Sequence, residues 1–287
     1  MADELQGHSD SVEAERISAI KVFLIFLRLG CTSFGGPVAH LGYFRDEFVG
    51  RRKWLKDRAY ADLVALCQFL PGPASSQVGI GLGLSKAGLP GALAAWLGFT
   101  MPSALILIAF GYGVVAYEGT AHQGILHGLK VVAVAVVAQA VWGMAKNMCP
   151  DAKRATMAVL AAAAVLAAPT PLVQVGVIIV GGLAGLALLK ADTSAEYEPL
   201  GINVSRPLAI TSLALFFTAL IGLPILVSIY PSHILALVES FYSSGSLVFG
   251  GGHVVLPLLQ AEVVPTGWVS NDAFLAGYGA AQAVPGP

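Results

Sequence analysis

Charge is scarce in this chain of 287 residues. Only 11% are Asp, Glu, Lys or Arg, against about 25% in soluble domains. The 16 basic and 17 acidic residues leave a formal net charge of -1. That balance excludes a nucleic-acid surface, which needs an excess of basic side chains. Cysteine is as sparse. Cys31, Cys67 and Cys149 are odd in number and lack metal-ligand spacing, so no disulfide framework or metal site is expected and the three read as small packing residues. Catalytic signatures are missing too: there is no His-Glu-x-x-His, no phosphate loop and no nucleophile elbow. No catalytic residue is assigned, and an intramembrane hydrolase would need Ser33 or Ser75 paired with Lys130 or His127. Residues 1–17 carry Asp3, Glu4, Asp10, Glu13 and Glu15 where a cleavable signal would have a basic start and an apolar centre. They read as a polar cytoplasmic tail.

What is abundant is apolar side chain, at 56% of residues and a mean hydropathy of +0.75. A chain of this composition needs the lipid bilayer as its solvent, and in lipid only helices satisfy their own backbone within each segment. The expectation is an all-α, polytopic protein of the plasma (inner) membrane. Apolar segments fall near 18–44, 59–86, 89–117, 123–148, 154–168, 171–190, 206–230, 233–259 and from 272 onward. A span needs about 20 apolar residues, so 154–190, interrupted at Pro169-Thr170-Pro171, reads as a helical pair.

Orientation follows the basic residues of short loops. Arg45, Arg51, Arg52, Lys53, Lys56 and Arg58 place the loop 45–58 in the cytoplasm. If every segment crossed once, the loop holding Lys146, Lys153 and Arg154 would fall outside, against its charge. If 59–86 instead enters and leaves on the cytoplasmic side, broken at Pro71-Gly72-Pro73, that loop and the one holding Lys190 and Arg206 both fall inside. By the same logic 18–44, broken at Gly35-Gly36-Pro37, is a re-entrant hairpin.

Both breaks recur. Aligning Phe26–Pro73 with Phe241–Pro287 and one gap pairs Phe34-Gly35-Gly36 with Phe249-Gly250-Gly251 and Pro71-Gly72-Pro73 with Pro285-Gly286-Pro287. It also pairs Gly30 with Gly245, Glu47 with Glu262, Trp54 with Trp268 and Gln68 with Gln282. Five crossings between the copies would make the repeat inverted. Broken apolar segments in corresponding halves point to a transporter whose site lies where half-helices meet. The chain stops inside the motif that ends the second copy, so a complete copy is expected to continue.

A helix break cannot expose freed backbone groups to lipid, so it implies a cavity. Pro37 and Pro73 suit the first turn of a new helix, whose amides carry partial positive charge and hold anions. The glycines at 35, 36, 72, 250, 251 and 286 let backbone approach a ligand. Ser33, Ser75, Ser76, Gln68, Gln77, His253 and Gln282 surround the breaks and can donate to an oxyanion. Arg28 and Lys130 are cations inside apolar runs, and an intramembrane charge is a candidate functional group. Glu239 and His253 are candidates for coupling protons, as His40 and His127 are for titration near neutral pH. Trp54 and Trp268 read as interfacial anchors. The same glycines and serines would serve packing alone in a non-transporting membrane scaffold.

The run from Phe26-Leu27-Arg28-Leu29-Gly30 through Ser33-Phe34-Gly35-Gly36-Pro37, then Trp54, then Gln68-Phe69-Leu70-Pro71-Gly72-Pro73 with Ser76-Gln77, closely resembles the chromate ion transporter family. The second copy, from Phe249 to Pro287, resembles the start of the second domain in the family's long two-domain members. The resemblance implies a first repeat over 18–190, a polar linker over 191–205, and a connecting span with an incomplete second repeat over 206–287. It also implies export of chromate from the cytoplasm and chromate resistance, driven by the membrane potential or a proton gradient, without a cofactor. Sulfate, another tetrahedral dianion, is the alternative substrate. A homodimer is a possible partner arrangement, since a second subunit would complete a truncated repeat.

Overall fold

A computed structural model describes residues 17–116, 149–168, 171–189, 204–248 and 252–287, with isolated positions between 124 and 146. The regular elements among them are helices, as an apolar chain in lipid requires. Helix α1 (Ala19–Thr32) opens at Ser18, whose side chain accepts from the Lys21 N–H at 3.3 Å. It ends at Ser33, and Gly35 and Gly36 follow with φ of 98° and 76°. These left-handed values turn the chain into α2 (Gly36–Phe44), with Pro37 in its first turn. A π-helical turn, Arg45–Arg51, leads to α3 (Asp57–Phe69). At 14, 9 and 13 residues and 1.5 Å per residue, α1, α2 and α3 are about 21, 14 and 20 Å long. None alone matches a hydrocarbon core of about 30 Å.

After Pro71-Gly72-Pro73 the chain resumes as α4 (Ala74–Ala116), which is helical up to a reversal at Ala87 and Gly88, where φ/ψ are -139°/19° and 62°/-154°. Gly83 and Gly91 meet across this turn so closely that a Cβ on either would lie 2.3 Å from the other's carbonyl oxygen. Eight residues of straight helix would hold them about 12 Å apart. The reversal falls between the sequence segments 59–86 and 89–117.

The second limb of α4 lies on α1 through glycine. A Cβ on Gly30 would sit 2.7 Å from the carbonyl oxygens of Gly98 and Phe99, and one on Gly98 would sit 2.6 Å from that of Phe23. Lipid tails are as apolar as the side chains, so this close backbone packing, not the hydrophobic effect, holds the helices together. Around it stands an aromatic core. Phe26 stacks on Phe48 at 5.1 Å, and Phe99 packs on Phe44 at 4.9 Å and edge-on to His40 at 5.3 Å. The Tyr60 hydroxyl donates to the Leu41 carbonyl at 2.6 Å, tying α3 to α2.

Residues 134–197 form a compact unit of their own, and residues 1–133 and 198–287 form another. The smaller unit holds α5 (Ala152–Ala167), capped by Asp151 accepting from the Arg154 N–H at 2.9 Å, and α6 (Pro171–Leu188). The two occupy the range read as a helical pair. In the larger unit, α7 (Arg206–Ile229) is followed by α8 (His233–Ser246), α9 (Gly252–Val263) and α10 (Asn271–Ala283). Helices α8, α9 and α10 repeat the order of α1, α2 and α3; α8 and α10 match α1 and α3 at 14 and 13 residues, and α9 has 12 where α2 has 9. Among the described residues, α7 and the Ala74–Gly113 stretch of α4 are long and apolar enough to cross a membrane. Because α4 reverses at Ala87 and Gly88, only its second limb has that length in one piece.

Candidate functional site

Two backbone hydrogen bonds join the copies. The Gly72 N–H donates to the Val248 carbonyl at 2.7 Å, and the Gly286 N–H donates to the Ser33 carbonyl at 2.8 Å. Gly72 pairs with Gly286 in the repeat, and Ser33 pairs with Val248. Each bond is therefore the other with the copies exchanged, so the Pro-Gly-Pro break of one copy docks beside the glycine-rich break of the other. Gly72 and Gly286 have φ of 117° and 93°, which turns each amide out of its helix and frees it for this contact. The Gln77 side chain stays on its own break, donating to the Pro71 carbonyl at 2.7 Å.

Beside the junction lies a cavity of about 600 Å³. The starts of α2 (Gly36, Pro37, His40) and α4 (Pro73, Ser75) line it, with Leu237 and Phe241 of α8, Leu256 and Leu259 of α9, and Tyr278, Gln282, Gly286 and Pro287 at and after α10. Both helix starts in the lining follow a break, so unpaired first-turn amides are available there to an anion. Among the described residues the rest of the lining is mainly apolar and holds no Lys or Arg. These helix starts and side-chain donors can meet an anion through dipoles and hydrogen bonds.

Of the residues singled out in the sequence, Gly36, Ser75, Gln282 and Gly286 line the cavity. Ser33 is fully buried at the junction, Gly72 is buried there, and Gly35 is exposed at the break. Gln68 and Ser76 are half-buried outside the lining. Arg28 lies on the exposed face of α1, away from the cavity, with its carbonyl accepting from Thr32 Oγ1 at 2.8 Å. Glu239 is half-buried near Glu262, which accepts from Ser240 Oγ at 3.5 Å. Lys130, Gly250, Gly251 and the side chain of His253 lie outside the described residues. Trp268 lines the cavity and meets His233 edge-on at 5.3 Å, while Trp54 packs on Phe48 at 4.6 Å. Sequence reasoning missed Ser103, whose hydroxyl lies 3.3 Å from the Pro287 carbonyl across 184 residues of chain. No motif signals that contact.

The basic loop is organised by ion pairs. Glu47 accepts from Arg52 Nε at 2.6 Å and from Arg51 at 3.3 Å, and Arg45 donates to Asp57 at 2.6 Å. Burial pushes the Glu47 carboxyl up, but the hydrogen bonds and charges of Arg52 and Arg51 together outweigh it and hold the group below the usual carboxylate range. The Arg45 hydrogen bond likewise lowers Asp57. The second-copy partner of Glu47, Glu262, has no basic residue in its own loop 260–271.

Broken helices from two sequence copies, lining one cavity in an apolar all-helical unit, define the class as an α-helical membrane protein with a candidate site at its helix breaks. The family model described as Chromate transporter matches residues 20–186 and 235–287, and the chain belongs to that family. A place in a membrane follows from it. Curated relatives include the chromate transport protein of Pseudomonas aeruginosa, 26% identical over 93% of this chain and 63% of the relative. The chromate transport protein of Cupriavidus metallidurans is 27% identical over 93% and 64%. An uncharacterised transporter of Methanocaldococcus jannaschii is 24% identical over 94% and 67%. The chain thus spans a little under two thirds of the length of the two chromate transport proteins. No solved structure matches it.

Proposed function

We propose that this chain carries chromate, or a tetrahedral dianion of the same shape, across the plasma membrane, and that the cavity at the junction is where the anion sits. The observation that carries the reading is the pair of repeat-exchanged hydrogen bonds, Gly72 to Val248 and Gly286 to Ser33, beside a cavity onto which two helix starts open. The amides of α2 and α4 hold the oxyanion, with Ser75 and Gln282 as side-chain donors. The two chromate transport proteins similar to the chain favour chromate over sulfate.

The hairpins 18–44 and 59–86 enter and leave from the cytoplasm, and the copies are inverted. Helices α1, α2 and α3 are each too short to span alone, which supports that arrangement. Rocking of one copy against the other breaks and remakes the junction and alternates access. Export from the cytoplasm follows the membrane potential, because an anion moving outward runs toward the positive side.

The test is uptake of labelled chromate by inverted vesicles made from cells that express the chain. Uptake above empty vesicles, competed by sulfate and lost in Gly36→Leu, is expected. Uptake equal to that of empty vesicles would overturn the proposal.

A further inference from the structure

The cavity is lined by two copies of one sequence pattern, and at matching positions the copies do not present the same chemistry to it. Among the described residues, the buried side-chain atoms without a hydrogen-bond partner are Ser33 Oγ, both ring nitrogens of His40, Gln77 Oε1 and Thr100 Oγ1. All lie in the first copy or the helix that follows it. Ser33 is fully buried and His40 is 1% exposed. A buried polar group in a native protein is normally hydrogen-bonded, so each exception calls for a partner that the protein itself does not supply. The imidazole is the sharpest case. It sits one turn into α2, lines the cavity beside Gly36 and Pro37, and is held edge-on by Phe99. The Ser33 carbonyl interacts with the ring without a well-formed hydrogen bond to either nitrogen, and that carbonyl already accepts from Gly286.

The repeat supplies the contrast. Applying the same offset that pairs Phe34 with Phe249, Ser33 corresponds to Val248 and His40 to Val255. Val255 also lines the cavity. The second copy therefore presents methyl groups where the first presents a hydroxyl and an imidazole. At this position the first copy brings an imidazole to the cavity where the second brings a valine.

We infer that His40 is a ligand-binding residue of this cavity, donating an N–H to a single bound oxyanion, with its apolar counterpart Val255 elsewhere in the same lining. The inference rests on the cavity being the oxyanion site. It adds the imidazole of the first copy to the donors Ser75 and Gln282. A ring nitrogen that waits for the anion also explains why no protein group occupies it: a permanent partner would have to be displaced each time substrate binds.

The test uses the purified chain in detergent, with sulfate as a redox-inert probe and melting temperature read against sulfate concentration. Wild type is expected to be stabilised by sulfate. His40→Phe keeps the ring and its contact with Phe99 but removes both nitrogens. It is expected to melt at the same or a higher temperature without sulfate and to bind sulfate at least tenfold more weakly, a loss of about 1.4 kcal/mol. His40→Gln, which keeps a donor, should recover part of the affinity. Val255→His placed in His40→Phe should not, because the donor is needed at the position of His40 and not at that of its counterpart. A merely structural imidazole predicts the reverse, with His40→Phe melting lower and binding unchanged, and that result would overturn the inference while leaving the cavity as the site. Absence of any sulfate effect on wild type would overturn both.

Discussion

Replacing Gly286 or Gly72 by alanine tests whether the two copies are joined as the hydrogen bonds indicate. At Gly286, with φ of 93°, any Cβ raises the left-handed backbone by about 1–2 kcal/mol. The methyl would also lie 3.1 Å from the Phe99 carbonyl oxygen and from Ser103 Oγ, and 3.2 Å from the Gly30 carbonyl oxygen. Those neighbours must give way by a few tenths of an ångström. Gly72→Ala carries the same backbone cost at φ of 117°, and its Cβ would fall 2.6 Å from Gln77 Nε2. The amide then leaves the Pro71 carbonyl, a loss of about 1 kcal/mol. Each variant thus strains the junction by about 2–3 kcal/mol. That is well below the roughly 5–15 kcal/mol that holds a folded domain, so both should fold. A strain of 2 kcal/mol that must be overcome to close the cavity weakens binding by about 30-fold. The assay is sulfate-dependent stabilisation of the purified chain, with Gly111→Ala as control because nothing lies within 4 Å of that position. Equal losses in Gly72→Ala and Gly286→Ala are expected, since the bonds are copies of one another. Wild-type binding in both, or a loss in one with none in the other, would refute the paired junction.

Two further outcomes follow from the packing and the charges. Gly98→Leu should lower the melting temperature sharply and reduce the yield of folded protein, because its Cβ would meet the Phe23 carbonyl at 2.6 Å and the Leu27 amide at 2.9 Å, backbone that cannot shift without separating α1 from α4; Gly111→Leu, in open space, should do neither. Glu47→Gln should destabilise the chain by up to about 1 kcal/mol near neutral pH, since the pair with Arg52 is only partly shielded from solvent. The Glu47 carboxyl is lowered in the folded state, so its contribution is present above the ordinary carboxylate range and disappears as pH falls below it. Melting curves of wild type and variant should therefore converge in acid, and a gap that persists there would show that Glu47 acts through shape rather than charge.

The sequence by itself determined the class of the protein and the places where its helices stop. Scarce charge and long apolar segments require helices in lipid, because only there do backbone groups satisfy one another without water. The breaks are legible as well, since Gly35, Gly72 and Gly286 occupy backbone that a side chain would strain and Pro37 marks a helix start. The turn inside α4 was legible only as the boundary between segments 59–86 and 89–117, and its reversal brings Gly83 and Gly91 face to face. The basic loop also reads correctly as a cluster, although which arginine takes Glu47 depends on the π-helical turn. Type and position make Arg28 a candidate as an intramembrane cation, but only the fold shows which face it occupies: one face of α1 lies against α4 and Arg28 is exposed on the other.

Tertiary structure alone decided which breaks meet. The Gly72 and Gly286 bonds use backbone amides and carbonyls, which every residue carries and which leave no mark in composition or spacing. It also decided that His40, one of several histidines by sequence, is buried without a partner at the cavity, while Val255, its counterpart in the repeat, is an apolar wall. Repetition in a sequence shows that two segments fold alike. Which atoms they present to one another depends on how the two copies are turned, and that rotation is set by close packing between residues far apart in the chain.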